Sequence, residues 1–144
     1  TFGRRLTSFD IGPRGDLSRR RTITEFGHGT YPDGLAFDSQ GAVWVTSIVS
    51  NRVIRVTPDG EQTVLLEDVD REHLEEVEHA FTSGRMGKPH LDRVSSRRLK
   101  NISSLAFGGP DLSTVYLGCL LGDHILSFNS PVPGWPPAYW HHPL

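Results

Sequence analysis

The sequence predicts an all-β fold, part of a β-propeller of four-stranded antiparallel blades that carries a short helical insertion. Three observations lead there. Turn formers are plentiful, with 15 Gly and 10 Pro among 144 residues beside an ordinary hydrophobic share of 36%, which favours many short strands over long helices. Strand-like runs alternate with tight turns along most of the chain. That alternation also repeats internally, the sign of a fold assembled from similar units.

Taken in order, Arg5 to Phe9 and Thr22 to Phe26 read as two outer strands of an earlier blade. Tyr31-Pro32-Asp33-Gly34-Leu35-Ala36-Phe37 is answered 70 positions later by Asn101-Ile102-Ser103-Ser104-Leu105-Ala106-Phe107. Turn residues come after each copy, Asp38 to Gly41 and Gly108 to Asp111. Val43-Trp44-Val45 then matches Val115-Tyr116-Leu117, and Asn51 to Val56 matches Asp123 to Phe128, now at an offset of 72. A fourth strand, Gln62 to Leu66, comes after the Pro58-Asp59-Gly60 turn. Each unit thus reads as strands joined by tight turns, the order of an antiparallel blade.

An offset near 70 exceeds the usual blade period of about 40 to 50 residues, and residues 68–100 account for the excess. Asp70 can cap a helix whose first turn carries Glu72. Leu74, Val77 and Phe81 fall on one face of it, and Gly84 ends it. The rest of the segment, through Met86 and Pro89 to Arg98, reads as an irregular basic loop. The chain is therefore expected to hold about two and a half blades over residues 1–144, with a helix-plus-loop insertion at 68–100. Such a piece does not close a ring, so the protein's missing N-terminal blades are expected as its partners. The opening at Thr1, without an initiator Met, fits either a processed terminus or a piece of something larger.

A formal net charge of -2 gives no footprint for nucleic acid, and Arg19-Arg20-Arg21 and Arg97-Arg98 read as solvated charges. No apolar stretch approaches the length of a membrane span and no signal peptide is visible, so no membrane partner is expected. The single cysteine, Cys119, excludes an internal disulfide framework and reads as a buried, inert thiol. It leaves the compartment open, with the cytoplasm favoured.

Tyr31 to Asp38, together with Gly41-Ala42-Val43-Trp44-Val45 and Asn51 to Gly60, resembles a blade of the SMP-30/gluconolactonase/LRE-like family, whose strand starts with Pro-Asp-Gly. Ser104-Leu105-Ala106-Phe107-Gly108-Gly109 resembles that family's Phe-Gly-Gly blade. The resemblance covers nearly the whole chain apart from the insertion. It implies a six-bladed propeller, of which this chain is the C-terminal half, and a metal-dependent hydrolase of sugar lactones with its metal at the mouth of the central channel. The family's metal ligands are a Glu near the N-terminus, an Asn in a Pro-Asn-Gly strand start, and the Asp of Pro-Asp-Gly. Here only the last has a matching position, Asp33.

Asp33 is therefore the candidate catalytic and metal-binding residue. Pro32 fixes φ before it and Gly34 lets the backbone pass close behind, so the carboxylate sits on a constrained turn. Carboxylate and carbonyl oxygens suit a divalent cation, with Ca²⁺, Zn²⁺ and Mn²⁺ not distinguished. Asp33 is ligand, general base or both. Local sequence alone favours a plain turn residue, as at Asp59-Gly60, and the resemblance reverses that preference. Ser103 occupies the place of Asp33 in the second blade, and with Asn101 and Ser104 it either lines a substrate pocket or caps a strand end. Asn101-Ile102-Ser103 also spells a glycosylation sequon, read as chance.

Other titratable residues weaken as candidates. His73 and His79 lack the His-Glu-x-x-His spacing and read as solvated, while Glu75, Glu76 and Glu78 read as a charged helix face. Asp38 reads as a hairpin residue, His28 as an exposed loop residue and His141-His142 as tail. Two functions remain: hydrolysis of a lactone substrate by the full-length protein, or a non-catalytic propeller that binds a small ligand or protein partner. The insertion and the aromatic tail, Trp135 to Trp140, are surfaces the second would use.

Overall fold

The computed structural model describes residues 1–93, 96, 98–138 and 140. Three antiparallel sheets succeed one another along the chain. β1 (Arg5–Ile11) and β2 (Leu17–Glu25) form a hairpin. β3 (Tyr31–Phe37), β4 (Val43–Ile48), β5 (Arg52–Val56) and β6 (Gln62–Glu67) form a four-stranded sheet in chain order. After helices α1 (Arg71–Thr82) and α2 (Lys88–Asp92), strands β7 (Ile102–Gly108), β8 (Thr114–Cys119) and β9 (Leu126–Asn129) form the last sheet, also in order. The middle sheet has the four antiparallel strands in chain order that the repeat predicts. The sheets on either side have two strands and three.

Period-two alternation explains how the sheets stack. On β4 and β5, Trp44 and Val53 face the last sheet and pack with Ile102, Leu105, Val115 and Leu117. On the opposite face Val45, Ile54 and Val56 pack with Phe26, Ile23 and Leu6 beside the first hairpin. The middle sheet is thus covered on both faces, which is why β4 is buried from Trp44 to Ile48. The Trp44 indole meets the Phe107 ring edge-on at a centroid distance of 5.0 Å.

Asp38 locks the β3–β4 turn. Its Oδ1 accepts from the Gln40 and Ala42 N–H groups, and its Oδ2 accepts from Trp44 Nε1 at 3.0 Å and Arg55 Nε at 2.7 Å. Burial pushes this carboxyl up, and the bonds from Trp44, Arg55, Ala42 and Gln40 outweigh it, leaving the pKa below the ordinary value. Both carboxylate oxygens are engaged by the protein, so the hairpin reading of Asp38 matches its surroundings.

The first helix starts at the expected cap. Asp70 accepts from the His73 N–H at 3.1 Å, and Gly84 ends α1 at φ 68. Leu74, Val77 and Phe81 pack against Tyr31, Ile48 and Val49, docking the helix on the end of the middle sheet where β3 starts. The segment read as an irregular loop contains α2. Pro89 lies in its first turn, where a missing N–H breaks no helical bond.

Two residues read as solvated are buried. Glu78 accepts from Arg4 through both carboxylate oxygens, from the Gly29 N–H at 3.1 Å and from the Tyr31 hydroxyl at 2.8 Å. Its carboxyl is lowered to about 2, chiefly by Arg4, and burial pushes the Tyr31 hydroxyl up. His73 is also buried. Cys119 is only half-buried, at the border of the Trp44 cluster. Val94, Ser95, Arg97, Tyr139 and residues 141–144 lie outside the described residues, and with them parts of the basic loop, the Arg97-Arg98 pair, the aromatic tail and the His141-His142 tail. No helix among the described residues is long and apolar enough to cross a membrane.

Candidate functional site

The first strands of the last two sheets, β3 and β7, break their ladders at the same repeat position. The β3–β4 register shifts between Pro32 and Leu35, across Asp33 and Gly34, and the β7–β8 register shifts between Ile102 and Ser104, across Ser103. A bulge leaves a residue unpaired and re-aims its side chain. The strands touch at this level, where a Cβ on Gly34 would stand 2.4 Å from the Ser103 carbonyl oxygen and 2.8 Å from Ser104 Cα. Only glycine permits that approach.

Thr46, buried on β4, holds the bulge from behind. Its hydroxyl accepts from the Gly34 N–H at 2.9 Å and donates to the Gly34 carbonyl at 3.3 Å. Asp33 is exposed, and its carboxylate has no hydrogen bond or ion pair among the described residues. This contrasts with Asp38, five positions on, whose oxygens are fully engaged. Ser103 is half-buried beside Gly34. Ser104 is exposed, its hydroxyl close over Gly118, where a Cβ would lie 2.4 Å from it.

Asn101 is placed differently. It is buried at φ 59, with Oδ1 accepting from the Val49 N–H at 2.9 Å and Nδ2 donating to the Leu91 carbonyl at 2.6 Å. Val49 is a β-branched residue at φ 66, a strained conformation that this bond helps to hold. The amide therefore serves the junction between the middle sheet, the insertion and β7. It is not displayed as a sequon or a pocket wall would be. Asn51 mirrors it, accepting from the Ile102 N–H at 3.0 Å.

A hard divalent cation would find one free carboxylate, Asp33, with the serine hydroxyls in the neighbouring strand. The oxygen donors suit such an ion, but among the described residues no three His, Cys, Asp or Glu side chains come close enough to hold one. A cavity of about 520 Å³ farther along the same strands is walled by Leu35, Phe37, Phe107, Trp135 and Trp140, with no titratable side chain among the described residues that line it.

Residues 1–67, which include Asp33, Asp38 and Thr46, match the family model described as the SMP-30/gluconolactonase/LRE-like region. That likeness covers a little under half of the chain. A 6-deoxy-6-sulfogluconolactonase of Pseudomonas putida is 38% identical over 58 residues, which cover 39% of this chain and 20% of that protein. Two solved structures share the fold, both within that region and beyond it. A luciferin-regenerating enzyme superposes with a TM-score of 0.61 at 20% identity, covering 92% of this chain and 40% of its own. A structural-genomics target provisionally described as a gluconolactonase gives 0.55 at 20% identity, covering 91% and 33%. The chain thus spans about a fifth of the curated relative's length. At that identity the structural likeness speaks for the fold, which extends past residue 67 through the insertion into the last sheet.

Sequence reasoning missed Glu78 and Thr46. Glu78 left a signal, since it lies four positions after Leu74 on the stripe that also carries Val77 and Phe81. Thr46 left none, because its role depends on a bulge in the neighbouring strand.

Proposed function

We propose that the full-length protein is a six-bladed propeller that hydrolyses a sugar lactone to the open sugar acid, and that this chain supplies Asp33 to its reactive centre. The observation that carries the reading is the uncommitted, exposed carboxylate of Asp33 at a bulge where β3 meets β7, within a gluconolactonase-like region. The lactonase name of the relative supports the same class of substrate.

In the reaction, the oxygen of a water molecule bonds to the lactone carbonyl carbon, the ring C–O bond breaks, and the released ring oxygen takes up a proton as a hydroxyl. A divalent cation held in part by Asp33 would polarise the carbonyl and lower the pKa of a bound water. Asp33 contributes either as a ligand or by taking the proton from the attacking water. Pro32, Gly34 and the Thr46 hydroxyl keep its backbone in one place, which is what a group acting on a small substrate requires. Ser103 and Ser104, on the strand beside Gly34, are the candidates to bond the sugar hydroxyls.

Hydrolysis of gluconolactone by the full-length protein, measured as acid release, tests the reading. Activity should fall to background in chelator and return on adding Ca²⁺, Mn²⁺ or Zn²⁺. Undiminished turnover in chelator would remove the metal from the account, and no turnover of any sugar lactone with metal present would remove the activity.

A further inference from the structure

A cleft of about 560 Å³ runs between α1 and α2, and its walls include His73, Glu76, His79, Arg85, His90 and Arg93. His73 is 5% exposed, and neither ring nitrogen has a hydrogen-bond partner among the described residues. Glu76 Oε2 stands 3.7 Å from its Nδ1, beyond hydrogen-bonding distance. A buried polar group left unpaired is costly, and one in that state on a cavity wall points to a ligand that completes it.

The hydrogen bonds of the wall define that ligand's chemistry. Arginine can only donate, so the 2.9 Å contact of Arg85 Nη2 with His79 Nε2 makes that nitrogen the acceptor and leaves the ring proton on Nδ1. The Gly87 N–H donates to His90 Nδ1 at 3.1 Å, and the same nitrogen stands 3.2 Å from the Gly87 carbonyl oxygen, so Nδ1 is engaged at the start of α2 and Nε2 is the nitrogen left for a ligand. Arg85 Nε donates to the Ser83 hydroxyl at 3.0 Å, and no carboxylate pairs with this guanidinium among the described residues. The one carboxylate of the wall, Glu76, is taken by Arg93 Nη1 at 2.8 Å. The wall is left with a set of N–H donors and a surplus positive charge, short of acceptors.

We propose that the cleft between α1 and α2 binds a small oxyanion, a carboxylate or phosphate group, held by Arg85, His90 and His73. Arginine and imidazole N–H groups give such an anion charge-assisted bonds, and its oxygens give His73 the partner it lacks. The site lies in the insertion, beyond the region that carries Asp33, and does not depend on lactone hydrolysis.

Titration calorimetry of the full-length protein with inorganic phosphate and with acetate tests this, alongside the ring ¹⁵N signals of its histidines. Saturable binding of one anion per chain is expected at millimolar concentration, with the His73 ring signals moving as the site fills. The tighter of the two anions identifies the head group. Arg85→Ala, a surface change, should weaken binding by at least about tenfold, whereas Arg14→Ala in the β1–β2 turn should not. Absence of saturable binding of either anion, or equal affinity in Arg85→Ala and the unaltered protein, would overturn the proposal.

Discussion

The Tyr31 hydroxyl donates to Glu78 Oε2 at 2.8 Å, tying the first residue of strand β3 to α1, an element inserted 47 positions later. Arg4 completes the junction by pairing with Glu78 and lying over the Tyr31 and Phe81 rings, with its guanidinium carbon 4.5 Å and 4.2 Å from the two centroids. The insertion is thereby fastened two residues from Asp33. Removing one partner of a buried ion pair strands the other, at a cost of about 3–5 kcal/mol. Arg4→Ala should therefore lower the urea midpoint far more than Tyr31→Phe, which removes one bond to a charged group worth about 1.5–3 kcal/mol. Urea unfolding of both variants checks the order.

The same junction predicts an acid-labile stability. The Glu78 carboxyl is lowered from 4.5 to about 2 in the folded protein. Its contribution is fully present above the unfolded value and is lost as pH falls through the folded one. Between about pH 4.5 and pH 2 the protein should lose on the order of 2 kcal/mol through this group. Urea midpoints measured down this range should fall less steeply in Glu78→Gln than in the unaltered protein.

At Gly34 the neighbouring strand leaves no room for a methyl group. Gly34→Ala would drive a Cβ into the Ser103 carbonyl oxygen, and backbone shifts of that kind cost about 1–3 kcal/mol. The expected result is a lowered melting temperature together with reduced lactone turnover, since the displaced residues adjoin Asp33. Thermal unfolding and turnover measured on one preparation would show both.

Asp38→Asn should destabilise without touching the reactive centre. The amide can still accept from backbone N–H groups, but it no longer balances Arg55, 2.7 Å away from a carboxylate that is fully buried. A loss of about 3–5 kcal/mol is expected, with a weakened near-ultraviolet signal from Trp44. Lactone hydrolysis per folded molecule should be retained.

The strands and the first helix are legible in the sequence because alternation, turn residues, the Asp70 cap and the Leu74 stripe are local signals. Helix α2 is not, because a five-residue helix starting Lys88-Pro89 looks like a loop on propensity alone. The burial of Glu78 and the commitment of Asn101 depend on partners 74 and 52 positions away in Arg4 and Val49. In the site, Asp33 is legible as part of a motif. The paired bulges and the contact with Ser103 emerge only when the sheets stack.

The central claim is that the free carboxylate of Asp33 acts on the lactone, and Asp33→Asn in the full-length protein addresses it directly. The change keeps the shape and removes the charge of a side chain without hydrogen-bonding partners among the described residues, so the fold should be unaffected. With metal supplied, kcat/KM for gluconolactone should fall by about a hundredfold or more, with circular dichroism and melting temperature unchanged. A folded Asp33→Asn protein that hydrolyses the lactone at the unaltered rate would contradict the account.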